Sequence, residues 1–342
     1  MGLTNKIGNR GRFFNRIVFI LFFISTLLFA QAEFSDYNSM AGAFSRMGFG
    51  ARGISMGNSI SSVTEGNLIS YYNPALSAFQ EGNYFQTSYS FLSLDRSLNF
   101  LNFTRKFELG KNKSADGKPH STAGISVGII NAGVSNIDAR DNQGEKFKTL
   151  STSENQFFLS LSNRFSEKFA LGIGLKFYYH SLYENISAGG LGFDIGALYK
   201  YNNNLNFAVV LTDINSKYKW DTSDLYGVEG NSTTNRFPFL MKISAAYKFN
   251  EPKLLATLEL EHSNSGTDFI KLGAEYNIYE QFFLRGGIDR ISFSNFDIPM
   301  RPALGFSYSK MFGNLLVGIN YAFGVEPYSS HDQHIIGVEL LF

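Results

Sequence analysis

From about Tyr84 onward one pattern governs the chain: a large apolar side chain at every second position, held over stretches longer than an ordinary strand. In residues 169–180, Phe169, Leu171, Ile173, Leu175, Phe177 and Tyr179 alternate with Ala170, Gly172, Gly174, Lys176, Tyr178 and His180. A period of two puts the first set on one face of a strand and the second on the other. The division recurs in Leu191, Phe193, Ile195, Ala197 and Tyr199 against Gly192, Asp194, Gly196 and Lys200. It returns in Met241, Ile243, Ala245, Tyr247 and Phe249 against Lys242, Ser244, Ala246 and Lys248. These segments predict strands near 84–94, 97–108, 121–132, 155–165, 168–180, 190–201 and 204–213. A second set follows near 238–249, 252–262, 268–278, 281–290, 301–311, 314–323 and 333–342, which makes fourteen. Most reach the ~9–11 residues that a tilted strand needs to cross hydrocarbon, whereas soluble strands run to ~5–6. The expected fold class is therefore all-β, a transmembrane antiparallel β-barrel of about fourteen strands whose apolar faces meet outer-membrane lipid.

The connections carry the same reading. With the C-terminus placed in the periplasm, parity assigns Ser166-Glu167, Asn202-Asn203, Asn250-Glu251, Tyr279-Glu280 and Phe312-Gly313 to the periplasmic side, all as tight turns. Residues 133–154, 181–189, 214–237, 263–267, 291–300 and 324–332 become longer external loops. Short periplasmic turns and long external loops are the outer-membrane arrangement. The first strands depart from it, since the connection at Asp95-Arg96 is short and 109–120 is long. The last strand ends with Ile336, Val338, Leu340 and Phe342 on one face, an edge that is safe only when paired. A terminal aromatic of this kind suits delivery by the barrel insertion machinery.

Composition excludes other classes. The chain has no Cys, so disulfide scaffolds and cysteine-ligated zinc are ruled out, and 35 Phe with 18 Tyr argue against disorder. The single long apolar run is N-terminal: Lys6, Arg10, Arg12 and Arg16 precede residues 17–30, and Ala30-Gln31-Ala32 fits a small-x-small cleavage site. Residues 1–32 thus read as a signal peptide, and export to the cell outer membrane of a diderm bacterium is expected. The remaining residues carry 26 basic and 29 acidic side chains, a net charge of −3 with no basic patch, so nucleic acid is not an expected partner.

Residues 33–82 lack the period of two and are expected to form an N-terminal hatch or plug segment ahead of the barrel at 83–342. Gly50, Gly53 and Gly57 surround Arg52 and permit close backbone packing. Asn73 and Pro74 read as the cap and first position of a helix. The sequence Gly50-Ala51-Arg52-Gly53…Met56-Gly57 followed by Asn73-Pro74-Ala75 resembles the N-terminal signature of PorV/PorQ-type proteins, within the superfamily of FadL-like outer-membrane transporters. Thr64-Glu65-Gly66-Asn67 stands where relatives carry paired acids, and Leu76-Ser77 replaces their Gly-Leu. The resemblance implies a fourteen-stranded barrel with the hatch in its lumen. Arg52 would then lie inside, where a guanidinium needs carboxylate or carbonyl partners. Glu259, Glu275 and Glu339, with Glu261 and Asp289, fall on polar faces and are the candidates.

No chemistry of catalysis is legible. The histidines lie in separate turns or at strand ends, so no Ser-His-Asp arrangement assembles, and no phosphate-cradling loop is present. His331 and His334 lack a third ligand and read as a solvated loop. The chain is expected to be no enzyme, with no metal and no cofactor. Two function classes follow from the resemblance. In the first the barrel is a component of type IX protein secretion that binds or shuttles cargo, or meets the translocon, through external aromatics Tyr218, Trp220 and Tyr226. In the second it is a FadL-like channel for hydrophobic small molecules.

Overall fold

A strand that exposes an apolar stripe along its whole length can satisfy its backbone in lipid only if neither edge is left free. The computed structural model, which describes residues 36–113, 119–183, 186–293 and 298–342, meets this condition. The expected signal peptide, residues 1–32, lies outside the described residues. The wall begins with β1 (Asn83–Phe91), β2 (Arg96–Lys113), β3 (Pro119–Arg140), β4 (Lys146–Arg164), β5 (Phe169–Tyr183), β6 (Ile186–Lys200) and β7 (Leu205–Ile214). A hairpin, β8 (Lys217–Asp221) and β9 (Ser232–Arg236), interrupts the sequence. The wall resumes with β10 (Leu240–Phe249), β11 (Leu254–Ser263), β12 (Asp268–Tyr279), β13 (Phe282–Ile291), β14 (Arg301–Phe312), β15 (Leu315–Gly324) and β16 (Gln333–Leu341). Each wall strand pairs antiparallel with its neighbour, β7 pairs with β10, and β1 closes on β16 from Tyr84↔Leu341 to Phe91↔His334. Fourteen strands therefore form a closed antiparallel barrel.

The faces follow the alternation. Phe169, Leu171, Ile173, Leu175, Phe177 and Tyr179 are exposed on the outside, while Ala170, Lys176 and Tyr178 are buried inside. Closure leaves this stripe no protein partner, so the barrel wall is expected to survive in detergent as a compact species. The unboiled protein should migrate faster on a gel than the boiled protein; identical migration would remove the case for a lipid-facing wall.

The structure revises the connections. The expected external loop 133–154 is mostly strand, because β3 and β4 run for 22 and 19 residues and meet in a short turn at 141–145. The loop expected at 181–189 likewise shrinks, with β5 reaching Tyr183 and β6 starting at Ile186. The loop expected at 214–237 contains the β8–β9 hairpin. The anomaly at 109–120 also resolves, since β2 continues to Lys113 and β3 starts at Pro119. We call the end with Asn83, Phe342 and the tight turns the turn end, and the opposite end the loop end.

Residues 36–82 pack on the inner face of the wall, where glycines give them room. Helix α1 (Gly50–Ser55) packs against β13–β16, and a 3-10 turn at Pro74–Phe79 packs against β2–β6, nearly opposite. Under the second element lies a shelf of bare backbone. A Cβ on Gly172 would fall 2.4 Å from Ala75 N, on Gly124 2.2 Å from Ser77 C, and on Gly196 2.0 Å from Asn73 Oδ1. A matching shelf of Gly273, Gly287 and Gly305 receives residues 55–57. Real Cβ atoms do not tolerate such distances, so at these six wall positions the segment seats only against glycine.

Candidate functional site

The N-terminal motif folds as a set of tight backbone approaches. Gly53 lies under Tyr72, where a Cβ would come within 2.2 Å of the hydroxyl, and Gly57 (φ 59) rests on the backbone of β12 and β13. Gly50 (φ 72) opens α1 beside Ile69, and Met56 closes it in full burial. Asn73 caps the 3-10 turn through Oδ1, which accepts from Ala75 N at 2.9 Å, with Pro74 at the first position. Its Nδ2 donates to Ser61 O at 2.9 Å and so ties the two halves of the segment together.

Arg52 projects from α1 into a network at the turn end. Nε donates to Glu275 Oε2 at 2.8 Å and Nη2 to Glu275 Oε1 at 2.7 Å, a bidentate pair between side chains that are 3% and 8% exposed. Nη1 donates to Glu65 O at 2.7 Å and to Asn67 O at 3.0 Å. The same Glu275 accepts from Arg285 Nε at 2.6 Å, and Arg285 Nη2 donates to Ser307 Oγ at 2.8 Å. One carboxylate of β12 thus holds two guanidinium groups, one from the wall and one from the lumen segment. Glu339 does not bond Arg52. It accepts from Asn67 Nδ2 at 2.7 Å, from Ser309 Oγ at 3.1 Å and from the Tyr84 hydroxyl. Glu259 is further removed, fully buried on β11 opposite Lys271 of β12. Of the three candidates, one meets Arg52, one holds the adjoining loop and one belongs to a different cluster.

That third cluster fastens a second point. Lys271 Nζ donates to Glu261 Oε2 at 2.7 Å, and Asn58 Nδ2 of the lumen segment donates to Asp289 Oδ2 at 3.0 Å. Asn58 Oδ1 accepts from the Tyr72 hydroxyl at 2.6 Å. Nothing in the sequence assigns Asn58 a role, and Tyr72 stands out there only as part of the stretch Tyr71-Tyr72-Asn73-Pro74.

The two ends of the lumen differ in chemistry. At the turn end a cavity of about 890 Å³ is lined by Arg52, Glu65, Asn67, Tyr84, Lys248 and Glu275 among others, a polar vestibule. The loop half is aromatic. Phe49 stacks with Phe100 at 5.8 Å and meets Tyr71 edge-on at 4.6 Å, and Tyr71 meets Phe158 at 5.7 Å. Above them Tyr178 lies 4.5 Å from Phe237, which lies 5.0 Å from Tyr218.

The external contact aromatics need correction here. Tyr218 is 2% exposed, and Trp220 packs on it at 5.9 Å and on His180 at 5.1 Å. Of the three, Tyr226 is the exposed one, at 60%. The reason is the hairpin: β8 joins β6 at Ala188↔Trp220 and Gly189↔Lys219, which turns alternate residues of β8 inward over the mouth. Burial and the neighbouring Glu154 push the Tyr218 hydroxyl well above the ordinary phenol range. It therefore stays protonated and donates to Glu154 Oε2 at 2.9 Å.

No family model and no curated sequence matches the chain. Among solved structures it is similar to the Pseudomonas putida toluene transporter TodX, at 15% identity and a TM-score of 0.54, over 86% of this chain and 96% of that one. It is also similar to a Pseudomonas aeruginosa FadL homologue, at 12% identity and a TM-score of 0.50, over 89% and 99%. At such identities the likeness is one of fold: the chain shares the closed β-barrel architecture of these two proteins.

Proposed function

We propose that the chain is an outer-membrane conduit for hydrophobic small molecules, with residues 33–82 acting as its hatch. The observation that carries this reading is the aromatic cluster beneath the β8–β9 hairpin, whose rings pack on one another and would part to admit a solute. Ligand sites of this class are concave and mainly apolar, with a few placed polar groups. The polar-face positions read from sequence did not suggest one, because Phe49, Tyr71 and Tyr72 come from the hatch and Tyr218 and Phe237 from the hairpin connection. The wall also has a register break beside this cluster, held by Lys176 between Asp194 and Asp213. The β6–β7 ladder breaks register between Phe193 and Ile195, and Asp213 there has φ 61.

In this reading the hairpin is a lid joined to β6 by two residue pairs and to β4 by the Tyr218–Glu154 bond. A cysteine pair at Gly189→Cys and Lys219→Cys joins those strands without touching the aromatics, and the chain has no other cysteine. Oxidation should slow uptake of a monoaromatic probe into cells several-fold, and reductant should restore it. Uptake that ignores the redox state would defeat the proposal. The secretion role implied by the motif resemblance is less supported, since two of its three contact aromatics face inward. A clean deletion separates the two: loss of surface and secreted proteins selects secretion, and a specific uptake defect selects the conduit.

A further inference from the structure

On the outside of β2, β3 and β4 the apolar stripe is cut short. On β4 it consists of Phe157, Leu159 and Leu161, with Asn155 next on the loop side, whereas on β5 it runs through six side chains from Phe169 to Tyr179. Register places Asn155 level with Asn131 on β3, and Asn131 level with Asn99 on β2. The row ends in tyrosines at both sides, Tyr89 of β1 opposite Asn99 and Tyr179 of β5 opposite Asn155. Asn99 Nδ2 donates to Asn131 Oδ1 at 3.1 Å, Asn131 Nδ2 to Asn155 Oδ1 at 2.7 Å, and Asn155 Nδ2 to Ser153 Oγ at 3.5 Å. The tier above is Ser97, Gly133, Ser153 and Ser181. Neither tier holds a charged side chain.

Directly below the row is a groove of about 540 Å³, lined by Thr87, Tyr89, Leu101, Ile129, Ile336 and Val338. Its size is that of a small-molecule site, typically ~300–1,000 Å³. The groove exists because Thr87 and Val338 are short between larger neighbours. A polar row above an apolar trough is the complement of an amphiphile.

We propose that this face binds one membrane glycolipid, with an acyl chain in the groove and an uncharged sugar on the asparagines between the two tyrosines. Each amide offers two donors and an acceptor with two lone pairs, so the shared bonds leave capacity for hydroxyl groups. A tyrosine is suited to the same boundary, with its ring against apolar matter and its hydroxyl in the polar layer. The absence of charge in both tiers disfavours a phosphate or a carboxylate and favours a hydroxyl-rich head. A stripe shorter than its surroundings also draws headgroups inward, which brings the sugar to the amides.

The inference rests on the outer wall facing lipid and is independent of what the lumen carries. Barrel purified from outer membranes in mild detergent is compared with the N99L/N131L/N155L variant by native mass spectrometry and lipid extraction. Both proteins must show the unboiled gel shift, and its absence in the parent would instead defeat the lipid-facing wall itself. The parent is expected to retain a glycolipid at near one per barrel, and the variant to lose at least most of it. Equal retention in both would overturn the proposal. Retention of phospholipid alone would also overturn it, as would a protein dimer dissolved by the variant.

Discussion

Glu275→Ala is expected to release the hatch and open the barrel to solutes that it normally excludes. Its carboxylate is the one acceptor shared by Arg52 of α1 and Arg285 of β13. Removal leaves two buried guanidinium groups without their hydrogen-bonded carboxylate, and breaking a buried pair in this way costs about 3–5 kcal/mol. At ~1.4 kcal/mol per factor of ten, the undocked population should rise by roughly two to three and a half orders of magnitude. The β-ladder does not depend on this contact, so the variant should keep its gel shift. Single-channel conductance and susceptibility to bulky antibiotics should rise, and protease should cut within 36–82. Arg52→Ala should act in the same direction, and the double variant should fall short of the sum, since both remove one interaction. A folded Glu275→Ala barrel with unchanged permeability would refute the latch.

Gly172→Leu is expected to produce the same leak through shape instead of charge. The hatch backbone at Ala75 already lies where the first carbon of any side chain would go. Overpacking of a well-fitted site typically costs about 1–3 kcal/mol, and a backbone neighbour cannot turn aside as a side chain can. The 3-10 turn should therefore lift off the wall, taking the Asn73 cap with it. Gly286→Leu is the control, because that glycine lies on the outer face with 3.4 Å to the nearest side-chain atom. It should leave conductance unchanged. Equal conductance in the Gly172 variant and the control would show that the shelf does not seat the segment.

Much of the wall was legible because a strand's side chains alternate with a period of two, and lipid on one side makes that alternation stark. Strand ends were less so. Ile137, Phe147 and Leu150 continue β3 and β4 outside the apolar belt, among polar residues that read as loop. The inner glycines were visible as a small face, yet nothing in their spacing says what approaches them. Arg52 stood out as a cation among glycines, but its partner lies 223 residues away, and spacing cannot choose among five acids on polar faces. Tyr218 and Trp220 were misread because a loop aromatic looks exposed until the hairpin that turns it inward is known.

The bare shelves bear on how far the plug can move. Where the segment rests, two patches of the wall present bare peptide groups, so complete withdrawal would leave the lumen wider there than any side chain of the wall could fill. Passage is better served by a small local displacement, and the turn at 64–67, which touches both Arg52 and Glu339, is the part whose shift would unblock least.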